Sequence, residues 1–345
     1  MQMNAKLFFK YAGCALLLLL LSLPEVNAQE RRGTAGSVQE LVPLTAQTAA
    51  LGTSMTSGLS GATGLELLYS NPAGLSMNQG TGVVYSRLEY VADIGTNFFG
   101  FAQRLGNNNI AFTLSSWDFG DIPLSTELNP ESEVNWTANF VTVGAAFSRQ
   151  FTDRIAAGVN AKFLNERIDD VAASGVLFDA GMTYVVGESG LRFGVSLKNI
   201  GPEKSFSGTG LVRFEQLSNQ TPEAQAQALT LQGADYESPA MLNFGVSYTR
   251  ELNASASVSL IGNFRSNSFN QDNYIGAVEI GLMNVLYLRG GYQMQEDQDL
   301  TFYSGANFGA GVNLDLGGNM IKVDYAYRAT DPFDGVQLIT ASVTL

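Results

Sequence analysis

The long C-terminal part of the chain, from about residue 81 to residue 345, alternates between apolar residues and small or polar residues. This period of two predicts β-strands, because successive side chains of a strand point to opposite faces of a sheet. The stretch 155–164 shows the pattern. Its apolar face holds Ile155, Ala157, Val159, Ala161 and Phe163, and its other face holds Gly158, Asn160, Lys162 and Leu164.

The alternating stretches predict fourteen strands, an even number, as a bacterial single-chain barrel requires. Two longer loops, 118–133 and 201–239, interrupt the pattern, and we predict a short helix at 222–231 in the second. The predicted strands are 82–91, 96–105, 110–117, 136–147, 154–168, 175–186, 191–200, 241–252, 256–265, 274–283, 286–295, 301–314, 320–328 and 336–345.

The first 28 residues have the features of a secretory signal peptide. Lys6 and Lys10 form a basic start, residues 12–23 are apolar, and Val26-Asn27-Ala28 is a small-residue cleavage site. The apolar run is shorter than the roughly 20 residues that a spanning helix needs, which disfavours an inner-membrane anchor.

Alternation alone leaves two fold classes open. A periplasmic or extracellular β-sandwich has the same period as a transmembrane barrel, with its apolar face turned inward. The export signal and the length of the apolar sets favour the barrel. The sequence therefore predicts an all-β protein of the outer membrane, a fourteen-stranded antiparallel β-barrel over residues 81–345.

Residues 29–80 lack the alternation and are dense in Ala, Thr, Ser and Gly. We predict a short helix at 41–51, after which glycines break any longer helix. Such a segment cannot form a core alone, so we expect it to pack in the lumen of the barrel as a hatch. It ends in a turn at 71–75, whose expected role is to fix the hatch against the barrel. The turn residues are Asn71, Pro72, Ala73, Gly74 and Leu75.

The composition excludes several kinds of chemistry. The chain of 345 residues has no histidine and a single cysteine, Cys14, within the signal peptide. Cys-His and Ser-His-Asp catalysis and a histidine-ligated metal site are therefore excluded. The 32 acidic against 19 basic residues argue against nucleic acid as a partner. We expect no enzymatic activity and no cofactor.

The remaining polar candidates are charged residues and tryptophans. We predict that Lys162, Arg167 and Asp179 face the lumen as a charge network that holds the hatch; catalytic carboxylates are the alternative. We place Trp117 and Trp136 at the membrane interface, with ligand stacking as the alternative. The acidic clusters are interpreted as solvated loops, although contact with divalent cations or lipopolysaccharide is conceivable. These clusters are Asp118/Asp121, Glu127/Glu131/Glu133 and Glu296/Asp297/Asp299.

A set of short motifs, in this order and spacing, resembles the PorV/PorQ family of outer-membrane proteins, which is related to FadL-like fatty-acid channels. The resemblance covers nearly all of the mature chain. The motifs are Ala49-Ala50-Leu51-Gly52, Tyr69-Ser70-Asn71-Pro72-Ala73-Gly74-Leu75, Thr152-Asp153-Arg154, Lys198-Asn199-Ile200-Gly201-Pro202-Glu203, Leu288-Arg289-Gly290-Gly291-Tyr292 and Val323-Asp324-Tyr325-Ala326-Tyr327.

The resemblance implies a fourteen-stranded barrel with a hatch that contains the Asn-Pro-Ala turn. It also implies two functions. One is an accessory of type IX protein secretion that contacts the translocon and its cargo through loops 118–133 and 201–239. The other is a passive transporter of hydrophobic small molecules, which requires an apolar pocket between hatch and wall. We favour secretion here, because the residues predicted to face the lumen show no obvious apolar pocket. Outer-membrane lipid and lipopolysaccharide are expected partners in both cases.

Overall fold

The computed structural model describes residues 34–120, 122–123, 135–216, 225–295, 302–331 and 333–345. The predicted signal peptide, 1–28, lies outside the described residues, as does most of the predicted loop 118–133. Within the described part, no helix is long and apolar enough to cross a membrane.

The wall is a closed antiparallel barrel of fourteen strands, which confirms the predicted fold class. Each strand pairs with its neighbours in sequence, and the first strand pairs with the last to close the sheet. We label the wall strands β1 (Thr81–Glu89), β2 (Gly95–Leu105), β3 (Asn108–Asp118), β4 (Ala138–Gln150), β5 (Ile155–Ile168), β6 (Val171–Val185), β7 (Leu191–Ile200), β8 (Met241–Asn253), β9 (Ala256–Asn267), β10 (Asn273–Leu282), β11 (Leu286–Met294), β12 (Tyr303–Leu316), β13 (Asn319–Thr330) and β14 (Val336–Thr344).

The two faces of the sheet carry the predicted alternation. Phe163, Phe178 and Phe244 point outward and are 50%, 55% and 47% exposed, whereas the neighbouring Lys162 and Asp179 point inward and are buried. Apolar side chains on the outside and polar ones inside are typical of transmembrane barrels, because the outer surface contacts lipid.

The two ends of the barrel differ in their connections. At the end that holds Leu345, strands are joined by turns of two to five residues, and we call it the turn end. The opposite end carries the longer connections, and we call it the loop end. Outer-membrane barrels have short periplasmic turns and longer extracellular loops, so the loop end corresponds to the extracellular side.

The loop between β7 and β8 differs from the prediction. Residues 227–230, which lie within the predicted helix 222–231, form a strand (Gln227–Thr230) that pairs with Val212–Glu215. The paired backbone provides hydrogen-bond partners between distant residues, and this tertiary pairing overrides a weak local helix preference. The part of the predicted helix at 222–224 lies outside the described residues.

The segment 34–80 lies inside the barrel and runs from the loop end to the turn end. It contains two single-turn helices, α1 (Ala46–Ala50) and α2 (Gly64–Leu68), and the 3-10 turns Val38–Leu41, Met55–Ser57 and Pro72–Met77. Helix α1 contacts β12, β13 and β14. It is shorter than the predicted 41–51, because Pro43 keeps Val42 extended and Gly52 adopts a φ of 63° after the helix.

Wall glycines let the hatch backbone approach the sheet closely. A Cβ atom on Gly194 of β7 would lie 2.0 Å from the carbonyl oxygen of Thr56, and one on Gly158 of β5 would lie 2.4 Å from that of Pro72. Both distances are far inside van der Waals contact, so these positions require glycine while the hatch keeps this place.

The Asn71 side chain joins the hatch turn to two wall strands. Its Nδ2 donates to the carbonyl oxygens of Thr56 (2.7 Å), Met182 of β6 (3.1 Å) and Val195 of β7 (3.3 Å). Its Oδ1 accepts a hydrogen bond from the backbone N–H of Ala73 at 2.9 Å, which caps the 3-10 turn that Pro72 begins.

We predict that Asn71→Ala lowers the stability of the barrel by about 1–3 kcal/mol, because buried carbonyl oxygens lose their donor. The measurement is the temperature at which the folded band disappears in a heat-modifiability gel. Asn253→Ala, at the exposed last residue of β8, is the matched control; it removes only an exposed hydrogen bond from the backbone N–H of Ser255 and should change this temperature little. An equal effect of both substitutions would show that the Asn71 contacts do not hold the hatch.

We also predict that Gly194→Ala destabilises the barrel by about 1–3 kcal/mol, because the added methyl group displaces the Thr56 backbone. Gly276→Ala on β10 is the control, since an added Cβ there meets no atom within 4 Å. Protease sensitivity of the hatch in detergent reports the displacement directly. A Gly194→Ala protein that is as resistant as the Gly276→Ala protein contradicts the close packing.

Candidate functional site

A cavity of about 450 Å³ lies at the loop end between the hatch and the wall, and we call it the outer cavity. The hatch contributes one side through Val38, Gln39, Leu41, Val42 and Thr53. The wall and its loops contribute an aromatic side and a polar side. Ligand pockets typically have this size and a mostly apolar lining with a few placed polar groups.

The aromatic side is a continuous group of packed rings. Tyr90 packs edge-on against Trp117 with 5.8 Å between ring centroids, and Phe119 packs in the same way against Phe140 at 4.7 Å. Phe302 joins the group, 5.5 Å from Tyr90. Such edge-to-face contacts hold the rings in place and leave their free faces for an apolar or aromatic molecule.

The polar side consists of amides and two arginines near the loop ends of β9 and β13. Arg265 donates from Nε to Asn243 Oδ1 at 2.9 Å and from Nη2 to the carbonyl oxygen of Thr53 at 3.1 Å. Arg328 donates from Nε to Asn307 Oδ1 at 2.9 Å. The amides of this side are Asn267, Asn270, Asn273, Gln293 and Gln295.

A smaller, deeper cavity of about 60 Å³ adjoins the outer one, and we call it the inner cavity. The two share Gln39, Val42 and Trp117 as lining residues. Lys198 of β7 lines the inner cavity with its ammonium 3.6 Å from the ring centre of Tyr69. Burial raises the pKa of the Tyr69 phenol to about 12, so this side chain is a neutral donor, and it donates to the carbonyl oxygen of Leu41 at 2.6 Å.

The predicted lumen residues Lys162 and Asp179 lie together beside the inner cavity. Lys162 Nζ lies 3.1 Å from both Asp179 Oδ1 and Glu40 Oε2. Glu40 belongs to the hatch, and its participation was not predicted, because nothing in the strand pattern indicates which hatch residue meets a given strand position. The ion pairs join the hatch to β5 and β6.

The placement of Arg167 is a correction. This residue points outward, is exposed, and donates from Nε to the carbonyl oxygen of Asp169 at 3.0 Å. An odd-numbered residue of β5 lies on the same face as Phe163, so the strand alternation itself requires the outward position. The inward residue is Glu166, which accepts hydrogen bonds from Gln39 of the hatch and from Tyr236 of the loop 201–239.

A second group of buried charges holds the hatch nearer the turn end. Lys322 of β13 lies 2.9 Å from Glu66 of α2, and Arg289 Nε lies 2.6 Å from Glu279. Arg289 also pairs with Asp324. Burial alone raises the pKa of the Glu66 carboxyl, but the attraction of Lys322 and its hydrogen bond outweigh burial and hold that pKa below its ordinary value. Glu66 is therefore ionised and paired.

The position of Trp117 is a second correction. It is 4% exposed, faces the lumen and lines both cavities, rather than lying at the membrane interface. The hatch turn 71–75 lies away from both cavities, against β5, β6 and β7. Most residues of the predicted acidic loop clusters lie outside the described residues, and no group of three or more carboxylates in the described part is arranged to hold a metal ion.

The apolar lining of the outer cavity was not predicted from the sequence. Tyr90, Ile94, Phe119 and Phe302 come from loops, where the period of two does not apply. Counting only lumen-facing strand residues gives a polar lumen, whereas the loop residues fold inward over it. The pocket that a transporter requires is therefore present between hatch and wall.

Three of the solved structures that share this fold have TM-scores above 0.5. The TodX deltaS2S3 mutant, a monoaromatic hydrocarbon channel, has 15% identity and a TM-score of 0.53 over 88% of this chain and 98% of that chain. The CymD monoaromatic hydrocarbon channel has 13% identity and a TM-score of 0.54 over 88% and 97%. The toluene transporter TodX of Pseudomonas putida has 14% identity and a TM-score of 0.52 over 86% and 96%.

No protein family model matches the chain, and no curated protein matches it either. These three structures are channels or transporters. At these identities the likeness concerns the fold alone, and the comparisons do not confirm the resemblance to the PorV/PorQ family. The chain has the fourteen-stranded fold of outer-membrane hydrocarbon channels, with a hatch in the lumen and an aromatic cavity at its loop end.

Proposed function

We propose that this protein is a passive transporter in the outer membrane that admits hydrophobic small molecules through its lumen. The observation that carries the proposal is the outer cavity. It lies at the extracellular loop end and presents packed aromatic rings to a space of about 450 Å³, enough for one small molecule. The shared fold with channels described as carrying monoaromatic hydrocarbons or toluene supports the same class of substrate.

The arrangement of the two cavities provides the first steps of a route. A molecule in the outer cavity contacts Val42 and Trp117, which also line the inner cavity. Burial of its apolar surface against the aromatic rings contributes about 25 cal/mol per Å² removed from water. Diffusion down the concentration gradient then needs no chemical step, in keeping with the absence of histidine and of cysteine from the mature chain.

Type IX secretion is the second candidate, and its support is the motif resemblance to the PorV/PorQ family. In that role the loops 118–133 and 201–239 contact a translocon and its cargo. The loop 201–239 has an exposed hairpin, with Phe214 74% exposed, which suits a contact surface. Transport ranks first, because secretion does not require an aromatic cavity in the lumen.

We predict that small aromatic molecules bind in the outer cavity and quench Trp117. The chain has two tryptophans, so Trp136→Phe leaves Trp117 as the only indole. Titration of this variant with nitrobenzene should give saturable quenching. The matched control, Trp117→Phe, retains only Trp136 and should give linear, collisional quenching. Linear quenching in both proteins would contradict the cavity as a binding site.

Uptake by cells tests transport itself. Expression of the barrel in a Gram-negative host without such a channel should raise the initial uptake rate of labelled toluene above that of cells carrying an empty vector. Recovery of a large translocon barrel by co-purification from native membranes, together with unchanged toluene uptake, would replace transport by the secretion role.

A further inference from the structure

Two arginine side chains in the outer cavity are buried without a counter-ion among the described residues. Arg265 and Arg328 are 8% and 4% exposed, and both line the cavity. In the described part of the chain, neither guanidinium has a carboxylate within 4.0 Å, and no Asp or Glu lines the cavity. Burying a charge without a partner is costly, so an unpaired pair of guanidiniums is unusual for a structural position.

Most of the other buried cations of the lumen show the contrast; Lys198 is the exception, since it lies over the Tyr69 ring and has no carboxylate within 4.0 Å in the described part of the chain. Lys162, Arg289 and Lys322 each lie within 3.1 Å of a carboxylate that is also buried. Arg265 and Arg328 instead donate to neutral oxygens of Asn243, Thr53 and Asn307, which hold the guanidiniums in place but leave their charge uncompensated. Five N–H donors per guanidinium exceed the hydrogen bonds that these partners accept, so donors remain for an anion.

The environment of the arginines defines the rest of the ligand. Arg328 lies 3.8 Å from the ring centre of Tyr303, at the border between the polar and aromatic sides. Gln295 Oε1 is buried at the cavity and accepts no hydrogen bond from the described residues, so it offers an acceptor for a hydroxyl group. The aromatic side begins at the next residues, Tyr303 and Phe302, which pack edge-on at 4.9 Å.

We infer that the outer cavity binds aromatic carboxylates, with the carboxylate on Arg265 and Arg328 and the ring against the aromatic side. The inference rests on the proposed function and narrows its substrate class from hydrophobic molecules in general to ring-bearing acids. Guanidinium groups match a carboxylate with two parallel hydrogen bonds, and charge-assisted bonds of this kind are about twice as strong as neutral ones. The volume of about 450 Å³ accommodates a substituted benzoate.

The test compares three probes on the purified, folded barrel by isothermal titration calorimetry near neutral pH. A non-ionic detergent is needed, because an anionic one would compete for the arginines. The probes are 4-hydroxybenzoate, its neutral methyl ester and octanoate, an aliphatic acid of similar size. We expect 4-hydroxybenzoate to bind about 10- to 100-fold more tightly than its ester, and more tightly than octanoate.

Substitution of the two arginines tests where the carboxylate of the ligand binds. Arg328→Gln and Arg265→Gln should each lower the affinity for 4-hydroxybenzoate by about tenfold or more. The affinity for the ester should change by less than about twofold. Arg328→Lys keeps the charge and should recover part of the loss. Arg213→Gln removes a positive charge from the exposed hairpin and is the control, with unchanged affinity expected. Each variant is first checked for the folded band in a heat-modifiability gel.

The outcomes separate this inference from the proposed function. Binding of the ester as tight as that of the acid, in the wild-type protein, overturns the inference and leaves a transporter of neutral aromatics. Octanoate binding as tightly as 4-hydroxybenzoate overturns the aromatic preference and with it the inference. Failure of all three probes to bind overturns the proposed function together with the inference. The comparison of the three probes uses the wild-type protein alone, so it does not depend on whether any variant folds.

Discussion

The constraint on which this structure depends is the width of a closed sheet of fourteen strands. Side chains fill the interior of an eight-stranded barrel, whereas sixteen or more strands leave an open channel. Fourteen strands enclose a lumen that the wall side chains do not fill, so a further piece of chain must occupy it. The segment 34–80 does so. It is held by apolar contacts with inward-facing wall residues such as Val84, Leu88 and Ile261, and by hydrogen bonds and ion pairs with polar wall residues.

That requirement explains why the hatch contains little regular secondary structure and many small residues. Its backbone approaches β5 and β7 at Gly158 and Gly194, and its polar groups must find partners in the wall. Asn71 provides three donated hydrogen bonds at such a contact, and Glu66 and Glu40 provide carboxylates for Lys322 and Lys162. Most of the buried cations are paired in this way, whereas Arg265 and Arg328 have no carboxylate partner among the described residues, which is why we assign the anionic group of a ligand to the outer cavity.

The barrel wall could be predicted from sequence because its signal is local. Alternation over ten or more residues determines where the strands lie, how many there are and which side chains point outward. All fourteen strands occur where the pattern places them. The same alternation places Arg167 on the outer face with Phe163, so the prediction that it faces the lumen was wrong. The partners of the wall charges could not be predicted. Which hatch residue meets Lys162 or Lys322 depends on a path through the lumen that has no period, and the aromatic lining comes from loops.

The distribution of hatch contacts also limits how a molecule passes. The hatch is tied to β5, β6, β7 and β13 by Glu40 near its start and by Glu66 and Asn71 further along, and breaking one buried ion pair costs about 3–5 kcal/mol. Expelling the whole hatch would break several such contacts at once. The stretch between Glu40 and α1 has fewer ties, since Val42 and Leu44 make apolar contacts beside the two cavities. A local shift of residues 41–45 would break the hydrogen bond from Tyr69 to Leu41 but few other polar contacts, so it would cost less than expulsion and would leave the Glu66 and Asn71 contacts in place.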